Sequence, residues 1–167
     1  MAELNSLYED CVTAIRKTNP KRIIFIAPSK LSHPEGLQYL KIPSQGNGYL
    51  MAEWHFYAAG PSKTNDKKRW TTGTAEEKHQ IKKSIKVAVD WQKKTGIYTW
   101  VGAWMPGDYN KGDNYSVKEQ IEFASFMTQQ LDKYGIPFAI NADDRFYDYQ
   151  AENWIPKYKD LLNRIFM

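Results

Sequence analysis

The apolar positions of this chain change their spacing several times, and each spacing predicts a different element. Residues 4–18 carry apolar side chains at helical intervals, which predicts an amphipathic helix that Pro20 ends. Residues 23–27 are an unbroken apolar run, the pattern of a strand that is buried on both faces of a parallel sheet. Similar runs at residues 98–105 and 137–141 predict further strands.

The stretch Leu50–Tyr57 differs from the other predicted strands because ionisable side chains alternate with apolar ones. Successive side chains of a strand point to opposite faces, so Glu53, His55 and Tyr57 share one face and the aromatic residues between them share the other. A carboxylate, an imidazole and a phenol in one row favour catalysis or the binding of a polar ligand. The alternative is an antiparallel strand whose polar face is exposed to solvent.

Helix signals separate the predicted strands. Thr74 and Glu77 match the capping box, in which a hydroxyl and a carboxylate satisfy the first free N–H groups of a helix. Ser116 and Glu119 repeat the pattern before another apolar stripe. A last helix is predicted over residues 155–166, where apolar positions again recur at helical spacing.

The resulting order, one helix followed by strands that alternate with helices, is typical of a parallel sheet with crossover helices. It predicts a single α/β domain over residues 1–167, either a small open doubly wound sheet or part of a (βα)8 barrel. In both arrangements functional side chains gather after the carboxyl ends of the strands. The loops at that end hold Trp70, Tyr109, Asp143 and Asp144.

Composition narrows the classes of partner. With 42% hydrophobic and 25% charged residues, and no apolar run near the roughly 20 residues of a membrane span, a globular protein outside the membrane is expected. The first residues show no signal-peptide pattern. The net charge of +4 comes from scattered lysines rather than from a basic motif, so nucleic-acid binding is not expected.

Aromatic residues are unusually frequent. Six Trp and eleven Tyr exceed the needs of a core and suit stacking on flat ligands such as sugar rings. Neither a cofactor nor a metal is expected. The stretch from Asp108 to Glu119 is similar to a calcium loop, but Asp113 stands where that loop requires glycine.

In order, three segments resemble the second half of a family-5 glycoside hydrolase, the cellulase-type (βα)8 barrel. They are Asn-Pro-Lys-Arg-Ile at residues 19–23, His-Phe-Tyr at 55–57, which matches the family's His-x-Tyr, and Gly-Ala-Trp at 102–104. The resemblance covers nearly the whole chain. It implies a parallel (βα)4 half-barrel, strands five to eight, preceded by one helix, and it implies an extracellular protein that acts on β-1,4-glucan.

The chain departs from the family pattern at both catalytic carboxyls. The Asn-Glu-Pro motif that supplies the acid/base is absent and would lie upstream of Met1. Where the family carries Gly-Glu-Phe-Gly, with the nucleophilic glutamate, this chain has Ala103. Retaining hydrolysis needs two carboxyls about 5 Å apart, one to protonate the leaving oxygen and one to attack carbon. An alanine does neither.

Other residues of the chain are therefore candidates for the missing roles. We expect Glu53 and either Asp143 or Asp144 as acid and base, with His55 and Tyr57 positioning the substrate. Glu53 as a structural carboxylate paired with Arg or Lys is the alternative. For substrate binding the sequence offers Trp104, Trp70, Tyr109, Asn141 and Asp144, although Trp104 could equally pack under a helix.

Four strands do not close a barrel, so their edges and inner face would stay open. We therefore expect either a homodimer that rebuilds eight strands or pairing with a separate amino-terminal half. Two functions remain open: a β-1,4-glucan hydrolase module that is active only when associated, and a non-catalytic β-glucan-binding module or inactive remnant. An unrelated small α/β domain is a weaker third hypothesis.

Overall fold

A computed structural model describes residues 2–58, 69–107, 115–141 and 144–166. Its main sheet has four parallel strands in the spatial order β1-β2-β3-β4. The strands are β1 (Ile24–Ile26), β2 (Leu50–Tyr57), β3 (Tyr98–Met105) and β4 (Phe138–Ile140). The predicted parallel α/β half-barrel, preceded by one helix, is confirmed.

The helices fall near the positions that apolar spacing and, for two of them, capping signals predicted. They are α1 (Ala2–Arg16), α2 (Ala75–Thr95), α3 (Val117–Lys133) and α4 (Lys159–Phe166), with short 3₁₀ helices at Pro34–Tyr39 and Pro156–Tyr158. Both capping boxes are formed. An antiparallel pair, β5 (Tyr147–Asp148) and β6 (Asn153–Trp154), lies between β4 and α4 and was not predicted. No helix in the described ranges is long and apolar enough to cross a bilayer.

The helices cover only one face of the sheet, which we call the convex face. Along β2, Leu50, Ala52, Trp54 and Phe56 are buried on this face, and the residues between them are half-buried. The inward stripes of α2 and α3, including Ile85, close over them. The alternation in the sequence of β2 therefore assigned its two faces correctly.

Within the described ranges, no helix lies on the opposite, concave face of the sheet. Phe25 of β1 lies on this face and is 44% exposed, so the prediction that β1 is buried on both faces is wrong. The reason is closure: four strands curve without meeting, and no described element fills the space that a full barrel would enclose.

Between Val101 and Trp104, strand β3 has one residue more than the strands paired with it. Val101 and Trp104 pair with Trp54 and Phe56 of β2, three residues apart on one strand and two on the other. Against β4 the same shift appears. Such a bulge places Gly102 and Ala103 together, and both are half-exposed while the residues on either side of them are buried.

Helix α1 is fastened to the sheet by the guanidinium of Arg16, which is buried. Its nitrogens donate to backbone carbonyls only: Nε to Gln45, Nη1 to Asn19 and Arg22, and Nη2 to Gly46 and Tyr49. All five donors of the guanidinium are thus used without a carboxylate. The contacts join α1 to the segments that lead into β1 and β2.

Removing the hydroxyl of the α2 cap is expected to weaken the whole domain. Thr74→Ala deletes the acceptor for the Glu77 N–H and should lower the free energy of unfolding by about 0.5–2 kcal/mol, measured by urea denaturation. The exposed Thr72→Ala is the control and should change it by less than about 0.5 kcal/mol. Equal effects in the two variants would contradict the capping role.

Candidate functional site

The row of ionisable side chains on β2 lies on the concave face, as the alternation predicted. The Nε2 atom of His55 lies 2.7 Å from Oε1 of Glu53, and the rings of His55 and Tyr57 meet edge to face with centroids 6.3 Å apart. All three side chains are half-buried. Because a carboxylate only accepts hydrogen bonds, His55 donates through Nε2 in this pair. Among the described residues, the partner of Glu53 is thus an imidazole.

The backbone at His55 is held by a loop rather than by the next strand. The His55 N–H donates to the Ser32 carbonyl at 2.9 Å, at the point where the β3 bulge interrupts the register of β2. Ser32 ends a turn in which Lys30, Leu31 and Ser32 all have φ near +60°. Three successive non-glycine residues in the left-handed region are uncommon, and such strain persists only where surrounding contacts enforce it.

Gly102 makes room for the carboxyl of Glu53. A Cβ at this position would lie 1.9 Å from Nε1 of Trp100 and 2.9 Å from the carboxyl carbon of Glu53. Both side chains therefore occupy space that only glycine leaves empty. Trp100 is aligned with Glu53 across the strands and packs its ring on Phe25 at 5.7 Å. An indole thus lies beside the carboxylate on the concave face.

Sequence reasoning missed Trp100 and instead selected Trp104 and Trp70 as stacking surfaces, which the structure corrects. Trp104 is 0% exposed and Trp70 is 1% exposed. Both rings contact Phe123 of α3, at 5.9 and 5.5 Å between centroids. Neither ring has a face free for a ligand. Trp100 is two residues before Gly102, so strict alternation along β3 would have placed both on the same face. The bulge breaks this alternation after Val101 and turns Trp104 to the opposite face.

The remaining sequence candidates are placed as follows. Asn141 follows β4 and is half-exposed, and its backbone N–H donates to the Trp104 carbonyl at 2.9 Å. Asp144 is exposed. Tyr109 and Asp143 lie outside the described residues. Glu53 is the only carboxylate within the four strands of the sheet.

A second polar contact, which the sequence did not predict, joins the segments that follow β1 and β2. His33 Nε2 lies 3.1 Å from Nη1 of Arg69, and the Arg69 guanidinium covers the ring of Phe56 at 5.6 Å. Since a guanidinium only donates, His33 accepts in its neutral form. Burial lowers the pKa of His33, the Arg69 charge lowers it further, and Glu35 opposes the shift. The His33 side chain is 17% exposed.

Together, the concave face offers a carboxylate, an imidazole, a phenol and an indole along two adjacent strands. Such groups hydrogen-bond hydroxyls and stack on the apolar face of a ring, so the arrangement suits a carbohydrate better than a charged or purely apolar ligand. Among the described residues, no group of three or more His, Cys, Asp or Glu side chains is arranged to hold a metal ion.

The fold is that of half of a (βα)8 barrel. Residues 1–142 match the family model described as cellulase, glycosyl hydrolase family 5, and the chain belongs to this family. Comparison with the curated proteins finds no match.

Several solved structures share the fold at low identity. They include an endoglucanase (TM-score 0.79, 20% identity, 99% of this chain and 55% of that one) and the cellulose synthase subunit Z of Clostridioides difficile (0.81, 20%, 98% and 56%). Endoglucanase Cel5A of Thermotoga maritima is similar (0.80, 20%, 98% and 54%). The chain therefore spans about half the length of these proteins.

Acidification should destabilise the protein through His33. Because the folded-state pKa of His33 is below the ordinary value of about 6.5, the unfolded chain takes up the proton first. The contribution of His33 is fully present above pH 6.5 and is lost as pH falls toward the folded pKa. His33→Gln should flatten the fall in free energy of unfolding between pH 7.5 and 5, measured by urea denaturation. His79→Gln, at an exposed position, should not.

Proposed function

We propose that the concave face binds a β-1,4-glucan chain and that hydrolysis of this glucan requires a second half-barrel to complete the site. Membership of the cellulase family supports a glucan as the ligand, and the row Glu53, His55 and Tyr57 supports the location. The observation that carries the proposal is the 2.7 Å pair of Glu53 with His55, held on the inner side of a parallel sheet.

Within this proposal Glu53 acts as the proton-transferring carboxyl. His55 donates to it through Nε2 and so fixes its orientation, while Tyr57 packs against the imidazole edge. Gly102 leaves the space that the carboxyl occupies, and Trp100 provides an apolar surface for a sugar ring next to it. Glycoside hydrolysis needs a second carboxyl, which Asp143, Asp144 or the completing half would supply.

The second candidate is a glucan-binding module without catalysis. Ala103 favours it, because this residue sits on the β3 bulge at the place where the family carries its nucleophile. The concave face would then keep the ligand contacts and lack the reaction. Both candidates predict binding, and they differ in turnover.

The two candidates are separated by measuring reducing ends released from hydroxyethylcellulose beside retardation in a gel that contains the same polymer. If Glu53 transfers the proton, Glu53→Gln should lower release by roughly 10²–10⁴-fold, the usual contribution of general acid–base catalysis, with retardation reduced far less. The matched control is Glu3→Gln, which removes the same charge from the exposed start of α1 and should change neither quantity.

Each outcome has one meaning. Retardation without release in the parent protein supports the binding module and excludes catalysis by this assembly. Release that Glu53→Gln leaves unchanged excludes Glu53 as the acid. A parent protein that shows neither release nor retardation contradicts both candidates.

We further propose that two copies of this chain associate by placing β1 of one against β4 of the other. In the described part of the chain each of these strands has one neighbour only, and a two-fold axis would satisfy both edges at once.

Light scattering at micromolar concentration should therefore give twice the 19.4 kDa of the chain. Phe25→Asp, on the concave face, should shift the mass toward the monomer, because it places a charge where the two inner faces meet. Leu7→Asp, at an exposed position of α1, should leave the mass unchanged. A parent protein that stays monomeric would refute the homodimer.

A further inference from the structure

A second cavity lies on the other side of the sheet, in the helical layer. It is a cleft of about 340 Å³ between α2 and the end of α3, which we call the lysine cleft. Helix α2 contributes Lys82, Lys83 and Lys86, and α3 contributes Lys133, with Tyr134 following it. Nothing in the proposed glucan site on the concave face uses these residues.

Three of the four lysines of this cleft have no acidic partner among the described residues. Lys82, Lys83 and Lys133 form no ion pair with any residue in the described ranges, and Lys86 pairs only with the exposed Asp90. The ammonium groups of Lys82 and Lys133 instead lie near aromatic rings, 5.8 Å from Phe126 and 5.4 Å from Tyr134. The aromatic rings hold the two side chains beside the cleft and leave the positive charge uncompensated.

The spacing of the lysines on α2 destabilises this helix. Lys82 and Lys86 are four residues apart on α2, as are Lys78 and Lys82, and like charges at this spacing repel across one helical turn. Four ammonium groups around one concavity raise the local concentration of anions. A bound anion would relieve the repulsion, so the arrangement is suited to holding one.

The chemistry of the lining identifies the class of anion. Lysine is a point charge, and these ammonium groups come from successive turns of α2 and from the end of α3, so they suit anionic groups spaced along a chain better than one bidentate anion. The ring of Tyr134 is 42% exposed, and the amide of Gln130 lies beside it, which gives contacts for a sugar ring and its hydroxyls. A membrane-binding helix would need several exposed apolar side chains beside the lysines, and the cleft has only Tyr134.

We propose that the lysine cleft binds an anionic polysaccharide through carboxylates on its sugars, independently of the concave face. The cleft volume lies within the range of ligand pockets, roughly 300–1,000 Å³. The net charge of +4 acts in the same direction at longer range.

The test is electrophoresis of the whole protein through native gels that contain polygalacturonate or the neutral polymer hydroxyethylcellulose. The parent should be retarded by polygalacturonate, and the retardation should fall as salt is raised, because exposed ion pairs are screened. The triple variant Lys82→Gln, Lys83→Gln, Lys133→Gln should bind polygalacturonate roughly tenfold more weakly. Its retardation by hydroxyethylcellulose should be unchanged.

The control is a triple variant with the same loss of charge elsewhere: Lys17→Gln, Lys41→Gln and Lys159→Gln, all exposed and outside the cleft. It should retain the parent's binding to polygalacturonate. Equal thermal midpoints of the two triples and the parent would show that both fold. Tyr57→Ala separates the two sites, because it should weaken retardation by hydroxyethylcellulose alone.

Three results would overturn the proposal. The first is parental binding to polygalacturonate by the cleft variant, and the second is an equal loss in the control triple, which would indicate net charge only. The third is tighter binding of the parent to polyphosphate or to phosphatidylglycerol vesicles than to polygalacturonate, which would assign the cleft to phosphate. Loss of hydroxyethylcellulose binding in Tyr57→Ala bears on the concave site and leaves the cleft untouched.

Discussion

The extra residue of β3 is the constraint on which the concave face depends. Without it, strict alternation would place Gly102 and Trp104 on the same side of the sheet. With it, Val101 and Trp104 both point to the helices and Gly102 and Ala103 remain together on the open side. The Glu53 carboxyl and the Trp100 indole then occupy the space above a residue that has no side chain.

The same bulge explains why β2 is bonded at His55 to a loop and not to the next strand. Where the register between β2 and β3 shifts, the His55 N–H turns to the Ser32 carbonyl. The loop after β1 must adopt a left-handed turn to deliver that carbonyl. The contact of His33 with Arg69 then joins this loop to the segment after β2. The concave site therefore rests on backbone geometry as well as on the identity of its side chains.

Local sequence signals predicted the elements well but the environment of the aromatic residues poorly. The capping boxes at Thr74 and Ser116 and the alternation of β2 are properties of a few adjacent residues, and each appears as predicted. The prediction for Trp104 was wrong because strict alternation along a strand does not reveal a bulge. The prediction for Trp70 was wrong because its burial depends on Phe123 and Phe126, which are about fifty residues away along the chain.

The side chain at residue 103 lies outside the core of the half-barrel. Ala103 sits on the bulge and is half-exposed, and the residues around it keep the fold of half of a (βα)8 barrel. The side chain of residue 103 therefore projects from the bulge and takes no part in the core, which lies on the convex face.

The buried guanidinium of Arg16 has a consequence for where the domain can be cut. Five main-chain oxygens, spread over the two segments that precede β1 and β2, have this side chain as a donor. A truncation after α1 would remove the guanidinium from all five oxygens; those of Asn19, Gly46 and Tyr49 would keep a main-chain donor, whereas those of Gln45 and Arg22 would lose the donor that Arg16 supplies. The first helix is thus an integral wall of the half-barrel, and an expression boundary belongs before it.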